Sequence, residues 1–257
     1  MFAFSRKVLF ASVGVTVALV GTAAFALPGP AACALVGIVG LNSFGDGLLT
    51  DTESEAERHR YVELVRDARA RIEAAFGTPE SKPILVIFNR SSGLGPFKLN
   101  SYGSTQMVGS RACVMLGPKG QNVDVVAHEL MHAELHYRAG YVQRFLQIPT
   151  WFDEGLAMQV DYRSRYLLSP QEAAKSDYVR SLTNGSSFFT GEDEVVTRNY
   201  ASAKAVIASW VAGAGAATLY PRLSRIKNGE AFAEVVPERE LTIRSSGLPP
   251  AAAELKR

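Results

Sequence analysis

Residues 122–139 read NVDVVAHELMHAELHYRA, and residues 149–157 read PTWFDEGLA. The first stretch is a helix by its own grammar. Asn122 can cap it, Gly140 can end it, and Val123, Val125, Val126, Leu130, Met131 and Leu135 make it apolar enough to be buried. Inside it lies His128-Glu129-Leu130-Met131-His132. Imidazoles four residues apart share one helix face, one turn apart, and can bind a single metal ion. Glu129 follows the first histidine directly, so it points beside such a metal. From there it can take a proton from a metal-bound water. Zinc (Zn2+) is the expected cofactor, because imidazole suits it and a fourth position stays open for water.

A catalytic zinc needs a third protein ligand. The chain has four histidines, and three of them, His128, His132 and His136, lie in this helix. His136 sits two turns beyond His128, too far along a straight axis to meet the same ion. Glu154 is the better candidate, because it lies on a separate helix that Thr150 and Asp153 can open in S/T-x-x-D fashion. A turn at Gly140 allows an antiparallel return, and the small Gly155 and Ala157 would let that helix approach the metal helix. Without the upstream histidines, Glu154 would read as a solvated acid at a positive helix end.

Further out, the pattern predicts an α+β domain over residues 46–257. A helix is expected from Thr50 to Phe76, with Thr50, Asp51 and Thr52 as caps. Tyr61, Val62, Val65, Ala68, Ile72 and Phe76 form its buried stripe. Pro83–Phe88 reads as a buried strand. Residues 102–116 hold one or two strands, of which Arg111–Leu116 is the clearest, and Cys113 within it reads as an inert core thiol. The C-terminal half reads as helical, with a helix from Thr150 to about Tyr162, one opened by Ser169-Pro170, and others over 200–212, 215–227 and 230–236.

Residues 1–45 are a different material. Arg6 and Lys7 precede residues 8–45, which carry no acidic or basic side chain. Residues 8–27 rise roughly 30 Å as a helix, the thickness of a bilayer's hydrocarbon core. A signal anchor leaves the domain outside the cytoplasm. A signal peptide cleaved near Ala24-Phe25-Ala26 releases it there. A hairpin of 8–27 with 31–49 would return it to the cytoplasm, but Asp46 interrupts the second span. A lipoprotein site at Cys33 lacks the expected upstream leucine. The anchor is preferred because twenty residues exceed a usual signal core. The chain has 27 basic and 25 acidic residues. Arg6 and Lys7 are the whole surplus, so the domain is neutral overall and no nucleic-acid partner is expected.

HELMH followed by WFDEGLA resembles the gluzincin metallopeptidases, in particular compact bacterial peptidase-MA-like domains with a W-x-x-E-G-x-A helix. The resemblance is specific over residues 122–161. It implies a zincin-like fold: a small N-terminal sheet with helices, then a helical C-terminal half. It implies His128, His132 and Glu154 as zinc ligands, Glu129 as general base, and a peptide or protein substrate. It also implies an edge strand that pairs with extended peptide backbone, for which Arg111–Leu116 is the expected strand. Arg138 and Leu135 stand where a metzincin would carry its third histidine and its glycine. The aminopeptidase Gly-x-Met-Glu-Asn signature is absent. Met158 occupies the position where some gluzincins place an aspartate that orients a histidine, which leaves Asp153, Asp161 or a backbone carbonyl for that role. Tyr200, opening YASAKAVIASW, is the best-placed tyrosine to stabilise an oxyanion. Two other classes stay open: a non-proteolytic binding or assembly protein on this scaffold, and a zinc amidase acting on cell-envelope material.

Overall fold

The computed structural model describes residues 33, 41–44, 47–90 and 100–241. The expectations for residues 8–27 lie outside them. Among the described residues no helix is long and apolar enough to cross a membrane.

A five-stranded mixed sheet supports one side of the molecule. Its strands are β1 (Asn42–Phe44), β2 (Leu48–Thr50), β3 (Ile84–Ile87), β4 (Gly103–Val108) and β5 (Arg111–Leu116), in the order β1-β2-β3-β5-β4. β2, β3 and β5 run parallel, and the two outer strands pair antiparallel to their neighbours. Alternation sends Leu85, Ile87, Val114 and Leu116 into the main core. Val86, Phe88, Cys113 and Met115 point to the opposite face. Here two expectations fail. Arg111–Leu116 is not the edge strand, because it lies between β3 and β4. Its unbroken apolar run reflects burial on both faces, whereas the polar, alternating β4 lies at the edge. Cys113 is not a free thiol: it is disulfide-bonded to Cys33, with a Cα separation of 5.7 Å.

Helix α1 (Glu55–Phe76) starts later than the sequence suggests, because Thr50 belongs to β2 and Ser54 accepts from Glu57 N as the cap. Its buried stripe is Tyr61, Leu64, Ala68, Ile72 and Phe76, and Val62 is exposed. Helix α2 (Val123–Ala139) runs through the middle of the domain, capped by the Asn122 side chain and ended by Gly140 at φ 78°. It packs on the sheet, on α1 and on the later helices. The short α3 (Tyr141–Gln147) leads to α4 (Thr150–Ala157), which ends before Tyr162 in a turn and has Pro149, not Thr150, at its cap position. After α5 (Pro170–Ala173) and α6 (Gly185–Phe188) comes α7 (Asp193–Ala214), then α8 (Leu219–Lys227) and α9 (Phe232–Val235). A Cβ on Gly155 would stand 2.5 Å from Ile207 Cγ1 and 2.8 Å from Ala203 O. Gly155 therefore serves the contact of α4 with α7, whereas the contact of α4 with α2, for which it was expected, is made by other residues.

Candidate metal centre

The antiparallel return predicted from Gly140 brings α4 against α2. His128 Nε2 and His132 Nε2 lie 3.1 Å apart, and each is 3.4 Å from Glu154 Oε2. All three side chains are buried. Donor atoms held about 2.0–2.1 Å from one tetrahedral ion stand roughly 3.3 Å from each other, so the triangle has the size a zinc ion requires. Glu154 Oε2 is also buried without a hydrogen bond. A carboxylate oxygen left bare in the interior is costly unless a cation meets it. The residues therefore fit a metal, and the His128, His132 and Glu154 cluster can hold one. His136 stays outside it, with its Nε2 against Gly109 O at 3.0 Å.

An aspartate stands behind each of the two cluster histidines, hydrogen-bonded only to His132, and an arginine pairs with each aspartate. His132 Nδ1 donates to Asp153 Oδ1 at 2.7 Å, and Arg144 of α3 pairs with the other carboxylate oxygen. That partner assigns the proton to Nδ1 and turns the Nε2 lone pair toward the cluster. His128 Nδ1 lies 3.7 Å from Asp161 Oδ2, beyond a hydrogen bond, and Arg163 clamps Asp161 from the other side. Of the two aspartates that the sequence left unseparated, Asp153 hydrogen-bonds its histidine, while Asp161 faces His128 Nδ1, which has no hydrogen bond. Arg144 and Arg163 were missed, and only the nearness of Arg163 to Asp161 in the chain offered a hint.

The electrostatics call for a cation. Burial pushes Glu154 up, but the imidazoles, His132 above all, outweigh it and hold its carboxyl below the usual range. Burial pushes Asp153 up, and Arg144 and then His132 reverse this and bring it down. Burial pulls His132 down, yet Asp153 and Glu154 carry it well above the ordinary imidazole value. Two buried carboxylates thus favour positive charge on His132, and Glu154 alone of the two faces the point where the donor atoms converge.

Glu129 sits beside the triangle. Thr105 of β4 lies with its hydroxyl 2.7 Å from Glu129 Oε2 and 2.8 Å from the Glu129 carbonyl. Gly103, two residues earlier on the same strand face, leaves room: a Cβ there would meet Glu129 Cγ at 3.1 Å. Thr105 and Gly103 were not anticipated, although the period of two in GSTQMV places them together. Tyr200 of α7 stacks among Phe188, Phe189 and Tyr166, with its ring centroid 6.1 Å from that of His128. Burial first, then the charges of Glu154 and Glu129, push its phenol well above the ordinary value, so it remains a hydrogen-bond donor. Gly103 and Thr105 of β4 thus flank Glu129, and Phe188 and Phe189 flank Tyr200. No protein-family model, no curated protein and no solved structure matches the chain, and its chemistry rests on the residues of this site.

Proposed function

We propose that this chain is a zinc-dependent peptidase of gluzincin type on a zincin-like fold. Residues 8–27 anchor it in a membrane, with the domain on the outer side. One observation carries the reading: a buried His128–His132–Glu154 triangle of ligand size, with the Glu129 carboxylate held beside it by Thr105. When bound, zinc supplies Lewis-acid polarisation of the scissile carbonyl and of the attacking water. Glu129 takes the proton of that water and delivers it to the leaving amine. Thr105 keeps that carboxylate on the cleft side of α2. Tyr200 donates to the oxygen that gains charge as the carbonyl is attacked. β4 is an edge strand of the sheet and borders Glu129, so it is the strand to which an extended peptide backbone adds. The Cys33–Cys113 disulfide supports the placement outside the cytoplasm, since such bonds persist in oxidising compartments.

The test uses the full chain in detergent with a peptide library. One equivalent of zinc is expected, with cleavage that a chelator abolishes and zinc restores. Glu129→Gln should retain the zinc and lose about 100-fold or more in kcat. If Glu129→Gln cleaves as the wild type does, the peptidase reading is wrong.

A further inference from the structure

The contacts around the metal cluster run in a ring. On the sheet side Glu129 abuts Gly103 of β4, where a Cβ would stand 3.1 Å from Glu129 Cγ. Tyr102 immediately precedes Gly103, and its ring centroid lies 5.8 Å from the guanidinium carbon of Arg165. The same guanidinium stands 4.5 Å over the ring of Tyr166, to whose hydroxyl it donates. The Tyr166 ring meets that of Tyr200 at 5.7 Å, and Tyr200 meets His128 at 6.1 Å, back at the cluster. Arg165 is therefore the residue that bridges the β4 side of the site and the Tyr200 side. Tyr166 is buried, whereas Tyr102 and Arg165 are exposed, so the guanidinium sits where this ring of contacts reaches solvent.

Other arginines of this region are neutralised in place: Arg71 pairs with Asp124, Arg144 with Asp153 and Arg163 with Asp161. Among the described residues Arg165 meets no carboxylate, and neither does the exposed Lys119, whose ammonium lies 5.7 Å over the same Tyr102 ring. Two cations without acidic partners at one exposed aromatic ring form a receptor for an anion, and the planar fork of arginine suits a carboxylate. The strand geometry says what passes there. Tyr102 O accepts from Gly117 N at 2.8 Å, toward β5, so alternation along β4 turns the N–H groups of Gly103 and Thr105 to the free edge of the sheet. A peptide that pairs with this edge runs past Glu129 at Gly103 and Thr105, and one residue further on it reaches Tyr102 and the two cations.

We propose that Arg165, assisted by Lys119, holds a carboxylate of the peptide substrate within about two residues of the bond that is cleaved. The inference rests on the peptidase reading of this site and adds the substrate class: peptides that present an acidic side chain or a free C-terminus at that point. The experiment gives the full zinc-loaded chain in detergent two peptide libraries, one with free C-termini and one amidated, and identifies the products by mass spectrometry. Bonds with a carboxylate in reach should be cleaved about 10-fold faster than those with the matching amide. Enrichment of Asp and Glu in both libraries assigns the carboxylate to a side chain, and a preference lost on amidation assigns it to the C-terminus. Arg165→Gln should bring the ratio close to unity. Arg165→Glu should turn the preference toward Lys and Arg at the same place, which loss of structure alone does not produce. Both variants should keep their zinc and their melting temperature. Cleavage without preference for a carboxylate, or a preference that survives Arg165→Gln, overturns the proposal and leaves the peptidase reading standing. Failure to cleave either library overturns both.

Discussion

Two buried glutamates, twenty residues apart, solve opposite problems. Glu134, on α2, is fully buried, and every charge it carries is answered by the protein itself. Its oxygens accept from Glu80 N and Ser81 N at 2.7–3.1 Å and from Arg138 Nε at 2.7 Å. Glu154, on α4, is nearly as buried, yet one oxygen has no donor at all and faces two imidazole nitrogens. The comparison shows what burial by itself does not: a satisfied buried charge belongs to the architecture, and an unsatisfied one among other ligand atoms marks a place for a cation.

The comparison can be broken in four ways. The largest effect is expected for Glu134→Ala, which strands two backbone donors and Arg138; unfolding by denaturant should show a loss of up to about 5 kcal/mol, equal with and without zinc. Glu154→Gln should behave oppositely. It should change the metal-free stability by less than about 1 kcal/mol, but abolish the increment of about 4 kcal/mol that zinc at a thousandfold its Kd confers on the wild type. If Glu134→Ala and Glu154→Gln respond to zinc alike, the distinction between the two carboxylates fails. Next come the aspartates behind the histidines. Asp153→Asn should weaken zinc affinity by about 10- to 100-fold in a competition titration. Asp161→Asn should weaken it less, because Asp161 stands 3.7 Å from its imidazole where Asp153 stands 2.7 Å from its own.

The smallest effect is in pH. The folded value of His132 is raised by Asp153 and Glu154. Its contribution to the metal-free protein is therefore complete below the unfolded value near about 6.5 and is lost as pH rises through the folded one. Metal-free stability should drift down above that point, while zinc, which needs the neutral imidazole, should bind better over the same range. Glu154→Gln should shrink the drift because it removes one of the two carboxylates that raise His132, whereas Glu134→Gln should leave it in place. Melting temperatures of the wild type, Glu154→Gln and Glu134→Gln across pH 6–9 give the comparison.

Much of the site could be read from the chain because it is local chemistry. HELMH places two imidazoles on one turn of one helix, and the caps Asn122 and Gly140 that bound this helix are adjacent to it in sequence. Glu154 could be named as the third member of the cluster because a metal held by two imidazoles needs a further donor and His136 was too far along the axis. The assignments that failed all concern which surfaces meet. RACVML contains nothing to say that β4 covers its outer side, and Gly155 contains nothing to say that α7, rather than α2, presses on it. Cys33 and Cys113, 80 residues apart, looked like unrelated residues until the fold brought them together.

The sequence by itself determined a metal-ligand pattern on a helix, a domain neutral in charge, and an apolar head of membrane-spanning length, because each depends on periodicity and residue type within a few turns. Only the tertiary structure decided that Asp153 bonds His132 while Asp161 stands off from His128, that Thr105 on the edge strand holds Glu129, and that α3 turns its apolar face outward. Those relations join segments far apart in the chain, and their geometry follows from how helices and sheet pack, which local spacing does not encode.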